Sequence, residues 1–245
     1  MMNWKQLISA KRFGMEEFHE ERQENRSEFQ RDYDRLIFSA PFRRLQNKTQ
    51  VFPLPGSVFV HNRLTHSLEV ASVGRSLGDD VAKALLERHP ELQDSFLPEI
   101  GSIVSAACLA HDLGNPPFGH SGEKAISTFF SEGKGVRLKE KQPNGEQLSP
   151  MEWEDLTHFE GNANAFRILT HQFEGRRKGG FVLTYTTLAS IVKYPFSSSL
   201  AGTKSKFGFF VSEEESFQKI ATELGLTLLN EHPLKYARHP LVYLV

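Results

Sequence analysis

The residues best suited to chemistry in this sequence are the tandem pair His111 and Asp112 and a second histidine, His66. His111 and Asp112 end one apolar helical run, and His66 begins a separate amphipathic run, so that two helices can present ligands to one another. Two histidines with carboxylates suit Mn²⁺, Fe²⁺, Co²⁺, Ni²⁺ or Zn²⁺, whereas Mg²⁺ normally takes more oxygen ligands. The three residues predict a divalent metal site, and the identity of the ion stays open.

A second chemical pair, His120 and Glu123, follows directly after this helix. In the string HDLGNPPFGHSGE, two prolines and the two glycines that precede His120 force a sharp turn before that residue. The spacing of three places both side chains on one face of a first helical turn, where the carboxylate can fix the imidazole tautomer. The pair predicts general acid-base catalysis or nucleophilic attack by imidazole. Simpler interpretations remain open, namely a satisfied core histidine for His111 and an ordinary first-turn acid for Glu123.

The composition is that of an ordinary globular protein and excludes several classes. Among 245 residues, 29 are basic and 30 acidic, and the net charge of -1 gives no overall attraction to nucleic acid or membrane. The single Cys108 excludes a disulfide framework and predicts a buried, inert thiol. No apolar run is long enough to span a bilayer, and the first 30 residues are too charged for a secretory signal. We therefore predict a cytoplasmic protein.

Helical periodicity dominates the chain, and strand-like alternation is scarce. We predict one all-α domain over residues 1–245, a helical bundle with long polar loops. One helix begins near Thr65, a second ends at the prolines, and a third begins near Ser121. The expected buried positions of the first and third helices are Val70, Val73, Leu77, Val81, Leu85, Ala125, Ile126 and Phe129.

Two further local predictions concern the second half of the chain. The polar stretch between Ser131 and Thr157 lacks sustained periodicity and is predicted to be a long exposed loop. Ser212 and Glu215 have the spacing of a capping box for a helix that ends near Gly225.

Four strings, RLTH, HDLGNPPFGHSGE, HFEGNANAFRIL and KYPF, occur in this order. In the order and spacing of these strings, the chain from about Phe38 onward resembles the deoxyguanosine triphosphate triphosphohydrolase-like branch of the HD-domain superfamily. It resembles the N-terminal portion of such a protein. The resemblance implies an HD-domain helical bundle that hydrolyses a deoxynucleoside triphosphate, dGTP or several dNTPs, to the deoxynucleoside and inorganic triphosphate. It further implies a homo-oligomer that single-stranded DNA or nucleotides can regulate.

The resemblance also implies roles for individual residues. His66, His111 and Asp112 match the metal positions, and His120 and Glu123 match the catalytic pair. The remaining matches are to substrate-binding positions: Arg63 to a contact with the α-phosphate, Asn162, Lys193 and Tyr194 to the phosphate and sugar pocket, and Gln50 to a contact with the 3′-hydroxyl. A triphosphate carries about four negative charges and needs several cations, to which Lys206 can also contribute.

One part of the family pattern is missing. The family completes its metal site with an aspartate on a helix that follows an HPLVYLV-like segment, and this sequence stops at RHPLVYLV. We therefore expect a truncated domain, apolar surface exposed near Leu241, Val242 and Leu244, and poor activity of the chain alone. Two alternatives stay open, another HD phosphohydrolase such as a nucleotidase or phosphodiesterase, and a catalytically incomplete nucleotide-binding fragment.

Overall fold

The computed structural model describes residues 2–17, 26–48, 62–140, 142–143, 145–175, 178–201 and 206–245. Within these ranges the regular secondary structure is helical apart from one small two-stranded sheet and two isolated β-bridges, which confirms the predicted all-α class. The helices are α1 (Trp4–Leu7), α2 (Glu28–Ile37), α3 (Ala40–Arg44), α4 (Arg63–Arg88), α5 (Ile100–Ala110), α6 (His120–Ser131), α7 (Pro150–Thr157), α8 (Gly161–Thr170), α9 (Tyr185–Ile191) and α10 (Glu214–Glu223). Strand β1 (Leu228–Asn230) pairs antiparallel with β2 (Lys235–Tyr236). Short 3₁₀ turns occupy Leu45–Asn47, Pro90–Leu92, Leu97–Glu99, Lys134–Lys139, Ser198–Leu200, Val211–Glu213 and Pro240–Leu244.

Helix α5 lies at the centre of the core. All of its residues are buried, and it packs against α2, α4 and α9. A helix that is apolar all round is expected in such a place, because it has no face that favours water. Its C-terminal end passes directly into His111, so the position of that imidazole is set by the most enclosed element of the fold.

The buried face of α4 consists of small residues. Ser67, Ala71, Gly74, Gly78 and Ala82 face inward and let the backbone of α4 approach α5 closely. The predicted burial of the larger apolar stripe is therefore wrong: Val73 is 60% exposed and Leu77 is 46% exposed. The remaining members of that stripe, Val70, Val81 and Leu85, are half-buried. Helical periodicity was present, but close helix packing selected the face with the smallest side chains.

Helix α6 and the segment after it also differ from the predictions. Helix α6 buries none of its residues, since Ala125 and Phe129 are exposed and Ile126 is half-buried. The predicted loop between Ser131 and Thr157 contains a 3₁₀ turn and α7. A capping box begins α7, in which Ser149 and Glu152 bind each other's backbone N–H groups. A short polar helix of this kind has too few turns to show an apolar period.

The predicted capping box at Ser212 is wrong. Ser212 Oγ accepts a hydrogen bond from Arg167 Nη1 and donates one to Glu213 Oε1, and no side chain caps α10. The predicted end of this helix is confirmed, because Gly225 follows α10 with a φ of +65°.

The last residues of the chain pack inward. Leu241 and Val242 are buried and Leu244 is half-buried, so the predicted apolar exposure there is wrong. The 3₁₀ turn that contains them lies against α4, α5 and α9. Cys108 is buried as predicted, and burial raises the pKa of its thiol to about 11. Across the described ranges, no helix combines the length and apolar character needed to cross a membrane.

His239 connects this C-terminal turn to the N-terminal segment by a hydrogen bond. Its burial predicts that the stability of the protein depends on pH. Its Nε2–H donates to the Leu7 carbonyl at 3.0 Å and its Nδ1 accepts from the Leu241 N–H at 3.2 Å. Burial lowers its pKa to about 4, whereas an unfolded histidine titrates near about 6.5. Between these values the unfolded chain binds a proton that the folded chain does not. The free energy of unfolding therefore falls as the pH drops from 6.5 to 4, by about 3 kcal/mol in total.

Urea unfolding of the wild type and of His239→Gln at several pH values measures this contribution. The glutamine variant, which cannot titrate, should lose stability less steeply over the same window. Equal slopes for the two proteins would contradict the prediction.

Candidate functional site

Three potential metal ligands converge where α4 begins and α5 ends. His66 lies in the first turn of α4, and His111 and Asp112 follow the last residue of α5. One ligand atom from each residue lies within 4.8 Å of the other two, and the two imidazole rings have centroids 5.3 Å apart. Two nitrogens and one carboxylate oxygen at this separation form a donor set that can hold a divalent metal ion.

The His111 ring is oriented for metal binding. Its Nδ1–H donates to the Cys108 carbonyl at 2.6 Å, because a carbonyl oxygen can only accept, and this leaves the lone pair on Nε2. Nε2 lies 3.6 Å from Asp112 Oδ1, on the side of the cluster. Burial lowers the pKa of His111, against the opposing charge of Asp112, and so favours the neutral imidazole that a metal requires. The tautomer, the orientation and the charge state of His111 all fit a ligand.

Arg63 and Asn115 hold the Asp112 carboxylate from two sides. Arg63 Nη1 lies 2.8 Å from Asp112 Oδ2, and their side chains are only 4% and 7% exposed. Asn115 Nδ2 donates to the other oxygen, Oδ1. Arg63 is the first residue of α4, and the Asn62 side chain caps that helix by accepting from the Thr65 N–H. The capped start of α4 therefore fixes the positions of Arg63 and of His66, which lies one turn farther along the helix.

A cavity of about 410 Å³ opens beside the cluster. The predicted catalytic pair, His120 and Glu123, lines this cavity together with Arg63 and Asp112. The rest of its wall is formed by Asn115, Phe118, Gly119 and Ser121. The structure thus places the predicted proton-transfer groups, the arginine predicted to contact the α-phosphate and one candidate metal ligand around one space.

His120 and Glu123 do not contact each other as the spacing suggested. His120 is exposed, whereas Glu123 is largely buried and its Oε1 accepts the Gly161 N–H at 2.9 Å. No hydrogen bond joins the two side chains, both of which the structure describes. Glu123 is held by the backbone at the start of α8, a partner that lies 38 positions away in the sequence.

Two glycines allow α8 to lie this close to the turn after α5. A Cβ on Gly161 would overlap Asn115 Oδ1, and a Cβ on Gly114 would overlap the Gly161 carbonyl and the Ala165 N–H. Any larger residue at these positions would separate α8 from the turn and break the bond between Gly161 and Glu123.

Glu160 and Lys206 extend the site beyond Glu123. Glu160 Oε1 accepts from Lys206 Nζ at 2.7 Å and from Asn162 Nδ2 at 2.8 Å. Lys206 Nζ also lies 3.7 Å from Glu123 Oε2. Burial lowers the pKa of Lys206, but the hydrogen bond to Glu160 and the charges of both glutamates outweigh it, so the pKa is raised. A second cavity, of about 380 Å³, is lined by His120, Glu123 and Lys206.

The remaining predicted substrate residues lie farther from these cavities. Lys193 and Tyr194 are half-buried and line neither of the two cavities, and the same is true of Asn162. The charge of Lys193 adds a small part to the lowering of the His111 pKa, which places it on the metal side of the site. Tyr194 packs under the Arg238 guanidinium, 5.6 Å from its ring centroid. Gln50 lies outside the described residues.

Comparison with known proteins shows which family this chain resembles. The HD domain family matches residues 63–179, which include the three candidate metal ligands, the predicted catalytic pair and Asn162. The chain carries an HD domain. It is 44% identical over its whole length to a deoxyguanosinetriphosphate triphosphohydrolase-like protein of Synechocystis sp. and 46% identical to one of Pseudomonas aeruginosa. It is 36% identical over 96% of its length to the deoxyguanosinetriphosphate triphosphohydrolase of Yersinia enterocolitica.

These findings confirm the predicted resemblance. The matched region is 56%, 54% and 51% of the three relatives, so the chain spans about half the length of the curated relatives it matches.

Three residues around the HD-domain site were missed by the sequence reasoning. Asn115 lies inside the recognised turn string, and its place three residues after Asp112 was a usable signal. Glu160 precedes α8 as its N-cap, at the helix end where the helix dipole favours a negative charge. Lys48 carried no signal. Its Nζ donates to the Leu113 carbonyl at 3.3 Å, and burial, followed by the charge of Arg63, lowers its pKa.

Proposed function

We propose that this chain forms the metal-binding and phosphate-binding part of an enzyme that hydrolyses deoxynucleoside triphosphates to the deoxynucleoside and inorganic triphosphate. The observation that carries the proposal is the shared cavity, in which Arg63, Asp112, His120 and Glu123 meet beside two histidine ligands. A phosphate-binding cation, a metal ligand and two groups able to transfer protons are the parts that phosphate ester hydrolysis needs. The names of the relatives describe enzymes acting on dGTP, which supports this substrate class.

The roles we propose for the residues follow from their positions. His66, His111 and Asp112 hold a divalent ion, with Mn²⁺, Fe²⁺, Co²⁺, Ni²⁺, Zn²⁺ and Mg²⁺ as candidates, and a bound ion supplies Lewis acidity toward a phosphate oxygen. Arg63, fixed by Asp112, contacts the α-phosphate. His120 faces the cavity with an exposed imidazole and transfers the proton, while Glu123 provides negative charge at the same wall.

The other assignments are proposals of the same kind. Asn162, Lys193 and Tyr194 bind the phosphate and sugar groups, and Gln50 binds the 3′-hydroxyl. A cytoplasmic location, assembly into homo-oligomers, and regulation by single-stranded DNA or nucleotides remain predictions.

The identity of the phosphate product tests the reaction class. The purified protein is incubated in molar excess over dGTP, together with Mn²⁺, Mg²⁺ or Co²⁺. The products are separated by ion-exchange chromatography. We expect deoxyguanosine and intact triphosphate, even where the turnover of this chain is slow. Release of orthophosphate in a parallel incubation with a mononucleotide would support a nucleotidase instead. Metal-dependent binding of dGTP with no product would support a nucleotide-binding fragment.

Replacing His120 by alanine should lower the rate of triphosphate release by about 100-fold or more, because a positioned proton donor or acceptor contributes this much. Binding of Mn²⁺ should be unchanged, since His120 is not part of the three-residue cluster. Single-turnover rates and calorimetric titration with Mn²⁺ measure the two effects. His89→Ala, a change of another exposed histidine in the C-cap of α4, is the matched control and should leave both values as in the wild type. An unchanged rate in His120→Ala would remove this residue from the mechanism.

A further inference from the structure

Glu160 is a buried carboxylate for which the proposed mechanism has no direct use. Its side chain is 1% exposed, and a charge so enclosed requires several hydrogen bonds. It has four: the N–H groups of Asn162 and Ala163 donate to Oε2 at 2.6 and 3.3 Å, and Asn162 Nδ2 and Lys206 Nζ donate to Oε1. Two of these bonds cap α8, which a serine or an asparagine would also achieve. The two bonds to side chains need a separate explanation.

Both side chains held by Glu160 belong to residues that the sequence analysis linked to binding of the triphosphate. Asn162 lies in the first turn of α8, and Lys206 lies 46 positions after Glu160 in the sequence. Lys206 Nζ stands between two carboxylates, 2.7 Å from Glu160 and 3.7 Å from Glu123. The shorter distance identifies Glu160 as the principal partner of Lys206. Without it, the longer contact to Glu123 would be the only ion pair among the described residues to fix the flexible lysine stem.

The ammonium group of Lys206 reaches a space large enough for phosphate groups. The cavity of about 380 Å³ that it lines also includes His120 and Glu123, so it adjoins the cavity of the metal cluster through these two residues. Lys124 and His158 add basic groups to its wall. This distribution of basic groups suits the anionic end of a nucleoside triphosphate.

We propose that Glu160 is a positioning residue, whose carboxylate fixes Lys206 at the cavity beside His120 and Glu123 so that the ammonium contacts the polyphosphate of the substrate. This inference rests on the proposed function for the identity of the substrate. The holding of Lys206 by Glu160 can be tested without any substrate.

The sign of the effect of Glu160→Gln separates positioning from simple electrostatics. The change removes a negative charge beside an anion site, and by charge alone it would strengthen the binding of a polyanion. If Glu160 positions Lys206, the same change weakens binding because the ammonium is no longer fixed. We expect Glu160→Gln to weaken calorimetric binding of inorganic tripolyphosphate by about tenfold, the scale of one charge-assisted hydrogen bond.

A double-mutant cycle with Lys206→Met identifies the partner of Glu160. If Glu160 acts through Lys206, the double variant binds tripolyphosphate no more weakly than Lys206→Met alone. Additive losses in the double variant would overturn the proposal. Ser149→Ala is the matched control, because Ser149 caps α7 and has no lysine partner. It should cost stability without changing tripolyphosphate binding.

Chemical labelling of lysines tests the contact independently of any ligand. The wild type and Glu160→Gln are treated with dilute acetic anhydride, and acetylation of Lys206 is compared with that of the exposed Lys124 by peptide mass spectrometry. Lys206 should react slowly in the wild type and about tenfold faster in the variant, because a lysine freed from the carboxylate has a lower pKa and a more available lone pair. An unchanged rate would overturn the proposal. If wild-type protein neither bound nor hydrolysed dGTP, the proposed function would fail, and labelling would still decide whether Glu160 holds Lys206.

Discussion

Replacing Asp112 by asparagine is expected to reduce the affinity of the cluster for Mn²⁺ by about 100-fold or more. Asparagine keeps the shape of the side chain but presents a neutral oxygen, and loss of a ligand costs at least as much as the loss of a group that only orients one. The same change leaves Arg63 without the carboxylate 2.8 Å from its Nη1, in a place where the guanidinium is 4% exposed. Isothermal titration with Mn²⁺ measures the first effect, and urea unfolding measures the second.

The control for this prediction is Asp80→Asn, which neutralises an exposed aspartate on α4. It changes the net charge of the protein by the same amount, so any general effect of charge on Mn²⁺ binding appears in both variants. We expect the control to bind Mn²⁺ as the wild type does. Equal affinity in Asp112→Asn and the control would mean that the ion binds elsewhere, and the proposed roles of His66 and His111 would fall with it.

The cluster of His66, His111 and Asp112 could be predicted because its geometry is almost entirely local. His111 and Asp112 follow the last turn of a helix that is apolar on every side. Such a helix is expected to lie in the core. His66 begins a second helix that must pack on the first. The convergence of the three ligand atoms within 4.8 Å follows from these two helices alone.

The buried face of α4 could not be predicted from hydrophobicity. The valine and leucine stripe has the helical period, but so does the face that includes Gly74 and Gly78, and amino-acid hydrophobicity scores the first one higher. The choice between them depends on how closely α5 approaches. A Cβ added to Gly78 would lie 2.7 Å from the Gly101 Cα, a distance set by tertiary packing that a single sequence does not reveal.

The outer part of the site was hidden for a similar reason. The spacing of three suggested that Glu123 would bind His120, yet its partners are the Gly161 N–H and Lys206, which come from 38 and 83 residues farther along the chain. A helical spacing states which groups share a face. It does not determine which of several long-range partners binds the carboxylate, because that depends on backbone groups contributed by other helices.

The second large effect is expected at a buried ion pair that joins the N-terminal segment to α2 and α9. Asp32 is fully buried, and its Oδ1 accepts from Arg12 Nη1 at 2.7 Å. Its Oδ2 accepts from the N–H and the hydroxyl of Thr184, the N-cap of α9, at 2.9 and 2.6 Å. Asp32→Ala leaves a buried guanidinium and two donors of Thr184 without this partner. We expect the free energy of unfolding in urea to fall by about 3 to 5 kcal/mol.

An exposed pair supplies the control, because the same argument predicts a small effect there. Glu223 lies 3.0 Å from Lys11 with both side chains more than one-third exposed, and Glu223→Gln should cost less than about 1 kcal/mol. The double change Arg12→Met with Asp32→Ala should cost less than the sum of the two single changes, because it removes the stranded charge along with its partner. A loss under about 1 kcal/mol in Asp32→Ala would mean that water or Glu28, whose carboxylate and carbonyl also contact Arg12, replaces the missing partner. The stability of α9 would then depend on its apolar packing against α5 rather than on this carboxylate.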